Sequence, residues 1–221
     1  LNPLLTVLLF VWLISWQSVK AGVIDDLYEA KIAVDNQSQQ TQNSAFGLAF
    51  RQVLIKVRGN NDLLTDQKIK SAMVNATRFV RSYSYDRQGT QLYLAISFDP
   101  QRVENIIRGA GFPVWDKRRP DSIIWLAIKP SVDSARQIVM PTEFSELYQQ
   151  LNKRAAQRGI ILMVPLWDLA DIQSLGVYDI WGGFSTQISQ ASYRYAVPSV
   201  LSARIYLTDS QFSDDAVISS G

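Results

Sequence analysis

Two kinds of apolar run limit what this chain can fold into more than any other feature. Residues 91–98 (QLYLAISF) alternate, placing Leu92, Leu94, Ile96 and Phe98 on one side, the period-two pattern of a strand buried on one face. Residues 123–128 (IIWLAI) and 160–166 (IILMVPL) are continuous instead, as expected of strands covered on both faces. The chain therefore changes its structural grammar between residues 98 and 123. The stretch FPVWDKRRPD (112–121), with a proline near each end and a basic cluster in the middle, is where the change falls.

Before that stretch the elements follow one another in a legible order. Residues 27–34 (LYEAKIAV) read as a strand. Asn43-Ser44 reads as a helix start for AFGLAFRQVLIKVRG, whose Phe46, Ala49, Phe50, Val53 and Val57 share a face before Gly59 stops it. Thr65 opens a second helix with Ile69, Ala72, Met73, Ala76 and Val80 inward. SYSY, the turn DRQGT and QLYLAISF form a hairpin, and Asp99-Pro100 caps a third helix that Gly111 ends. After the basic stretch, Thr142 caps a helix carrying Phe144, Leu147, Leu151 and Ala155. A further helix over 185–195 leads to VLSARIYL (200–207). The fold class this predicts is an α+β N-terminal domain (βααββα) followed by an α/β domain with mainly parallel strands. The expected boundaries are a leader at 1–21, a first domain at 22–115, a linker at 116–121 and a second domain at 122–221. The final DSQFSDDAVISSG reads as a turn and the opening of another strand, so the second domain is expected to be truncated at its C-terminus.

Composition narrows the chemistry. Among 221 residues there is no cysteine and no histidine, which removes a cysteine nucleophile, a Ser-His-Asp triad and a histidine general base. A zinc site would have to be all-carboxylate, and no metal or other cofactor is expected. Neither GxSxG nor SxxK occurs. A net charge of +2 with interspersed signs offers no basic stripe for nucleic acid. The apolar run Leu4–Trp16, followed by Val19-Lys20-Ala21, has the form of a secretory signal peptide with a mature start near Gly22. The lack of an initial methionine and of a leading Lys or Arg departs from that form, and an uncleaved anchor is the alternative. An exported chain without cysteine fits a bacterial periplasm.

Several ordered segments, FRQVLIKVRGNNDLL, RFVRSYSY, LYLAISFD, IIRGAGFPVWDKRRP, IIWLAI, ILMVPLWDLAD, DIWGGF and ASYRYAVPSVLSARI, resemble the bacterial domain of unknown function 2066 family over about residues 23–207. The resemblance implies a longer envelope protein of Gram-negative bacteria with no established activity. It supplies no catalytic residues.

Five places invite a functional reading. Asp168, Asp171 and Asp179 lie beyond a buried strand, where open parallel sheets bind ligands; they can hold a hard cation, do acid–base work, or simply cap turns and helices. Gly182-Gly183 with Ser185 and Thr186 can cradle an anion at a helix start, or mark a sharp corner beside Trp181 with Ser185 as the cap. Gly109-Ala110-Gly111 follows a helix and lacks a third glycine, so it is a terminator. Trp115, Trp167 and Trp181 fall in predicted loops and can form a contact surface or pack between domains, whereas Trp125 belongs to a buried strand. The Lys117-Arg118-Arg119 cluster is either a contact patch or a solvated run. The favoured expectation is a non-catalytic periplasmic binding or assembly factor with an envelope protein partner. The alternatives are a carboxylate-dependent hydrolase of cell-wall glycan, and a small-ligand binder at a cleft around Trp115, Arg118 and Trp181.

Overall fold

A computed structural model of the protein describes residues 22–206. The leader at 1–21 and the expected C-terminal truncation lie outside the described residues. In chain order the elements are β1 (Gly22–Val23), β2 (Glu29–Val34), α1 (Gln39–Arg58), α2 (Gln67–Val74), β3 (Val80–Gln88), β4 (Gln91–Phe98), α3 (Pro100–Gly109), β5 (Arg118–Arg119), β6 (Ser122–Lys129), β7 (Gln137–Ile138), α4 (Ser145–Gln157), β8 (Leu162–Met163), α5 (Leu169–Ser174), α6 (Val177–Gly182), α7 (Ser185–Ser192) and β9 (Ser199–Tyr206). The protein is a mixed α+β fold. Among the described residues no helix is long and apolar enough to cross a membrane.

The first layer is an antiparallel sheet in the order β2-β4-β3. Every second residue of β4, Leu92, Leu94, Ile96 and Phe98, is buried, and this face packs against Phe46, Ala49, Phe50, Val53, Leu54 and Val57 of α1. The helix begins earlier than Asn43-Ser44: Ser38 is the cap, its hydroxyl accepting the Thr41 amide at 3.3 Å. The polar run at 39–43 therefore makes the exposed opening turns of the helix, which an apolar periodicity does not register. Asp66, one residue beyond the expected Thr65, caps α2 by accepting from the Lys68 and Ile69 amides. Asp99 caps α3.

The second layer is built on β6, which is buried along seven of its eight residues. β9 pairs with it in parallel from Ser122↔Ser199 to Lys129↔Tyr206. On its other side β8 pairs in parallel at Ser122 and Ile123, and β7 pairs antiparallel at Ala127 and Ile128. The sheet is therefore mixed. The apolar run 160–166 forms only the two-residue β8, because Pro165 has no amide to donate to a ladder and the chain leaves the sheet there; Leu166 is left exposed. Ile123, Trp125 and Ala127 face α6 and α7, while Ile124, Leu126 and Ile128 face α4. Both faces are covered, as the continuous run requires. The cap of α4 is Phe144 without a side-chain bond, not Thr142.

The stretch 116–121 is tied down at both edges. β5 lies within it and pairs antiparallel with β1. Arg119, part of the expected basic patch, is fully buried. Its guanidinium donates to the carbonyls of Trp115 and Asp116, to Val57 near the end of α1, and to Arg158 and Gly159 just beyond α4. The carbonyl ends of two helices, each with partial negative charge, thus converge on one cation. Trp115 covers it at 4.3 Å from the ring centroid.

Candidate functional site

The acidic loop is drawn together by α5 and the single helical turn Tyr193–Tyr195 that follows α7. Asp168 caps α5 by accepting the Asp171 amide at 3.1 Å. Its two carboxylate oxygens also receive Nη1 and Nη2 of Arg194 at 2.6 and 2.7 Å, the planar fork that makes an Arg–carboxylate pair geometrically specific. Arg194 Nη1 reaches Asp171 Oδ1 at 3.0 Å as well. Asp171 is fully buried; its other oxygen accepts the Trp167 amide at 2.8 Å and the Tyr195 hydroxyl. The Tyr195 oxygen in turn accepts the Leu166 amide at 2.9 Å.

These bonds set the electrostatics of the loop. The Arg194 bonds hold the Asp168 carboxyl down at about 2, and Arg194 is itself raised. Burial, then the bond to Asp171, pushes the Tyr195 phenol up to about 12. A general acid needs its carboxyl raised toward the working pH, so Asp168 stands on the wrong side for that role.

The same network fixes an unusual backbone. Trp167 has φ of +52°, a left-handed conformation that costs a side-chain-bearing residue roughly 1–2 kcal/mol. The Asp171 carboxylate holds its amide, and its buried ring meets Trp125 edge to face at 5.0 Å. With Trp167 turned inward, its neighbours turn outward: Leu166 is 70% exposed, Leu169 69% and Ile172 49%. Tyr193, beside Arg194, is 83% exposed. Four large apolar side chains are thus exposed on or beside the segments that this network ties together.

Asp179 does not join this cluster. It sits in the first turn of α6, where its carboxylate accepts the Gly176 amide at 2.8 Å. Gly183 ends that helix at φ +67°, with its amide donating to the Ile180 carbonyl and the Phe184 amide to that of Asp179, the paired closure of a Schellman cap. A Cβ on Gly182 would come within 2.7 Å of the Phe184 ring. The double glycine is therefore a corner, one residue supplying the dihedral and the other the clearance. Phe184, not Ser185, is the cap residue of α7, and no side chain bonds there.

Among the described residues, Trp115, Arg118 and Trp181, expected around one cleft, are engaged in separate places. Trp115 stacks on Arg119, while Arg118 is exposed in β5. Trp181 is buried within α6, under Arg136 at 4.8 Å and edge to face with Tyr206 at 4.9 Å. Trp167 and Trp181, expected in loops, are both core residues. Sequence reading missed Arg194, saw Tyr195 only as part of a helix face and took Arg119 only as part of a contact patch or solvated run; nothing local distinguishes a clasping arginine from a solvated one. Among the described residues no three carboxylates converge to hold a metal.

Residues 21–116 match the family described as Domain of unknown function (DUF8605). This overturns the resemblance to the domain of unknown function 2066 family. The segments behind that resemblance are apolar runs bounded by glycine and aromatic residues, which many α+β cores require, so they separate families poorly. The match ends beside Trp115, where the antiparallel layer gives way to the chain leading into β5 and β6. No curated protein matches the chain, and no solved structure does.

Proposed function

We propose that the protein is an exported, non-catalytic binding or assembly factor of the bacterial cell envelope, docking a protein partner on the apolar shelf of Leu166, Leu169, Ile172 and Tyr193. One observation carries the reading. The carboxylates of Asp168 and Asp171 are bonded to a shared arginine and to backbone amides, and four large apolar side chains on and beside the segments so tied are exposed. Exposed clusters of this kind are contact surfaces more often than accidents of packing. Rigid presentation also lowers the entropy lost on docking.

Export rests on the sequence of residues 4–21 and on the absence of cysteine, and the periplasm is the compartment that fits both. We also read the βααββα layer and the layer around β6, with its two parallel pairings, as two domains meeting across 116–121.

The experiment is in-cell crosslinking of the full chain carrying a C-terminal tag, with fractionation of the same cells. A near-stoichiometric envelope protein, recovered from the periplasm and lost from Leu169→Glu and Ile172→Glu, is the expected result. Recovery of that partner unchanged by both variants would overturn the shelf as the contact. A wholly cytoplasmic product would overturn export, and a purified hydrolytic activity lost in Asp168→Asn would overturn the non-catalytic reading.

A further inference from the structure

The antiparallel layer holds a second surface, remote in sequence from the shelf and built from α2, the turn Ala76–Phe79 and α3. A shallow, open groove of about 400 Å³ lies between them. Its floor is apolar, made by Ala72, Phe79 and Ile106. Phe79 stacks on the buried Phe50 at 4.5 Å, which ties the floor to the main core. The two helices are held at the groove's edge by Lys68, whose ammonium donates to the Gly109 carbonyl at 2.8 Å.

The rim is polar and one-signed. Lys68 and Arg78 line the groove, with Gln67, Ser71 and Asn75 beside them, and no carboxylate lines it. Among the described residues no carboxylate pairs with Lys68 or Arg78: the Lys68 ammonium bonds only a backbone carbonyl, and the guanidinium of Arg78 makes no side-chain hydrogen bond. Arg102 adds a third cation next to this rim by donating to the Arg78 carbonyl at 2.7 Å, and its own partner is Asp99 at the longer distance of 3.7 Å. A cationic lip over an apolar trough selects a ligand with the complementary division: a negatively charged head and an aliphatic body. A bare anion would leave the floor wet, and a neutral apolar molecule would leave an ammonium and a guanidinium beside it unanswered.

We propose that this groove binds one anionic amphiphile, an aliphatic chain bearing a phosphate or carboxylate head, with the chain on Ala72, Phe79 and Ile106 and the head between Lys68 and Arg78. The site belongs to the part of the chain that matches the family domain, and it stands or falls independently of the apolar shelf.

The test is calorimetric titration of the full chain with dodecyl phosphate below its micelle concentration, alongside inorganic phosphate and dodecyltrimethylammonium. Saturable one-to-one binding of dodecyl phosphate, at least tenfold tighter than either control, is expected. Arg78→Glu should weaken it tenfold or more. Ser71→Trp, which places a ring in the groove from an exposed position, should abolish it. Near-UV circular dichroism confirms that both variants fold. Equal binding of inorganic phosphate would mean an anion site without an apolar component. Equal binding of the cationic surfactant would mean indiscriminate adsorption. Either result, unchanged binding by both folded variants, or no saturable binding overturns the proposal.

Discussion

Arg119 carries a charge into the interior, and among the described residues no carboxylate forms an ion pair with it. Burial lowers it to about 10, so it is still a cation at neutral pH, and five backbone carbonyls answer it instead. Arg119→Met should cost about 3 kcal/mol or more, because buried carbonyls are left without donors. Arg119→Lys should recover little of the loss, since an ammonium has three donors and no planar fork; urea denaturation of the three proteins gives the comparison. Asp168 offers a test of a different kind. Its carboxyl is lowered from an ordinary 3.8 to about 2, so its contribution is present above about pH 4 and is lost as the pH falls from there toward 2. Because the group is exposed, the effect is local. The protection of the Trp167 amide, its exchange measured against the intrinsic rate, should fall as the pH drops across that window, and Asp168→Asn should flatten the dependence.

At the scale of elements, α6 and α7 show how a corner is made from two adjacent glycines with separate duties. Gly183 takes the left-handed dihedral that closes α6, and Gly182 leaves room for the Phe184 ring. Gly183→Ala should therefore destabilise by about 1–2 kcal/mol through backbone strain alone, with the native contacts preserved. Gly182→Ala should instead shift Phe184, a change that amide and ring chemical shifts near residues 182–184 will report. The short α5 depends on tertiary support in the same way. Six residues are too few for a helix to stand by itself, and Asp168, Arg194 and Asp171 supply the bonds that hold it.

Across the whole molecule, two apolar cores meet at a polar pin. The first gathers α1, the β2-β4-β3 sheet and α3, and the second lies on both faces of β6. Arg119 and the two-residue β1–β5 ladder join them. A Cβ at Gly159 would lie 2.1 Å from the Arg119 guanidinium and 2.9 Å from the Lys56 carbonyl, so the two cores are close-packed where Arg119 lies between them. The intact protein should unfold in one calorimetric transition. Arg119→Met should separate it into two, each core then melting on its own; a single transition in the variant would show that the pin does not couple them.

What the sequence determined by itself is whatever short range dictates. The alternation of 91–98, the continuous burial of 123–128, the cap at Asp99 and the stop at Gly59 are written in residues within a turn of each other, and periodicity or capping chemistry reads them directly. The same holds for the reactions removed by having neither histidine nor cysteine. Where local signals misled, a local detail had been overridden or underweighted: Pro165 cut short an apolar run that looked like a full strand, and a polar segment at 39–43 extended a helix. Only the tertiary structure decided the rest. Arg194 lies 26 residues from Asp168 and 23 from Asp171, and Arg119 is 62 from Val57 and 40 from Gly159. A charged side chain looks the same in sequence whether water or five carbonyls surround it. Its partner is chosen by how helices and strands pack, which brings Asp168 and Asp171 onto one arginine and leaves Asp179 at the start of another helix.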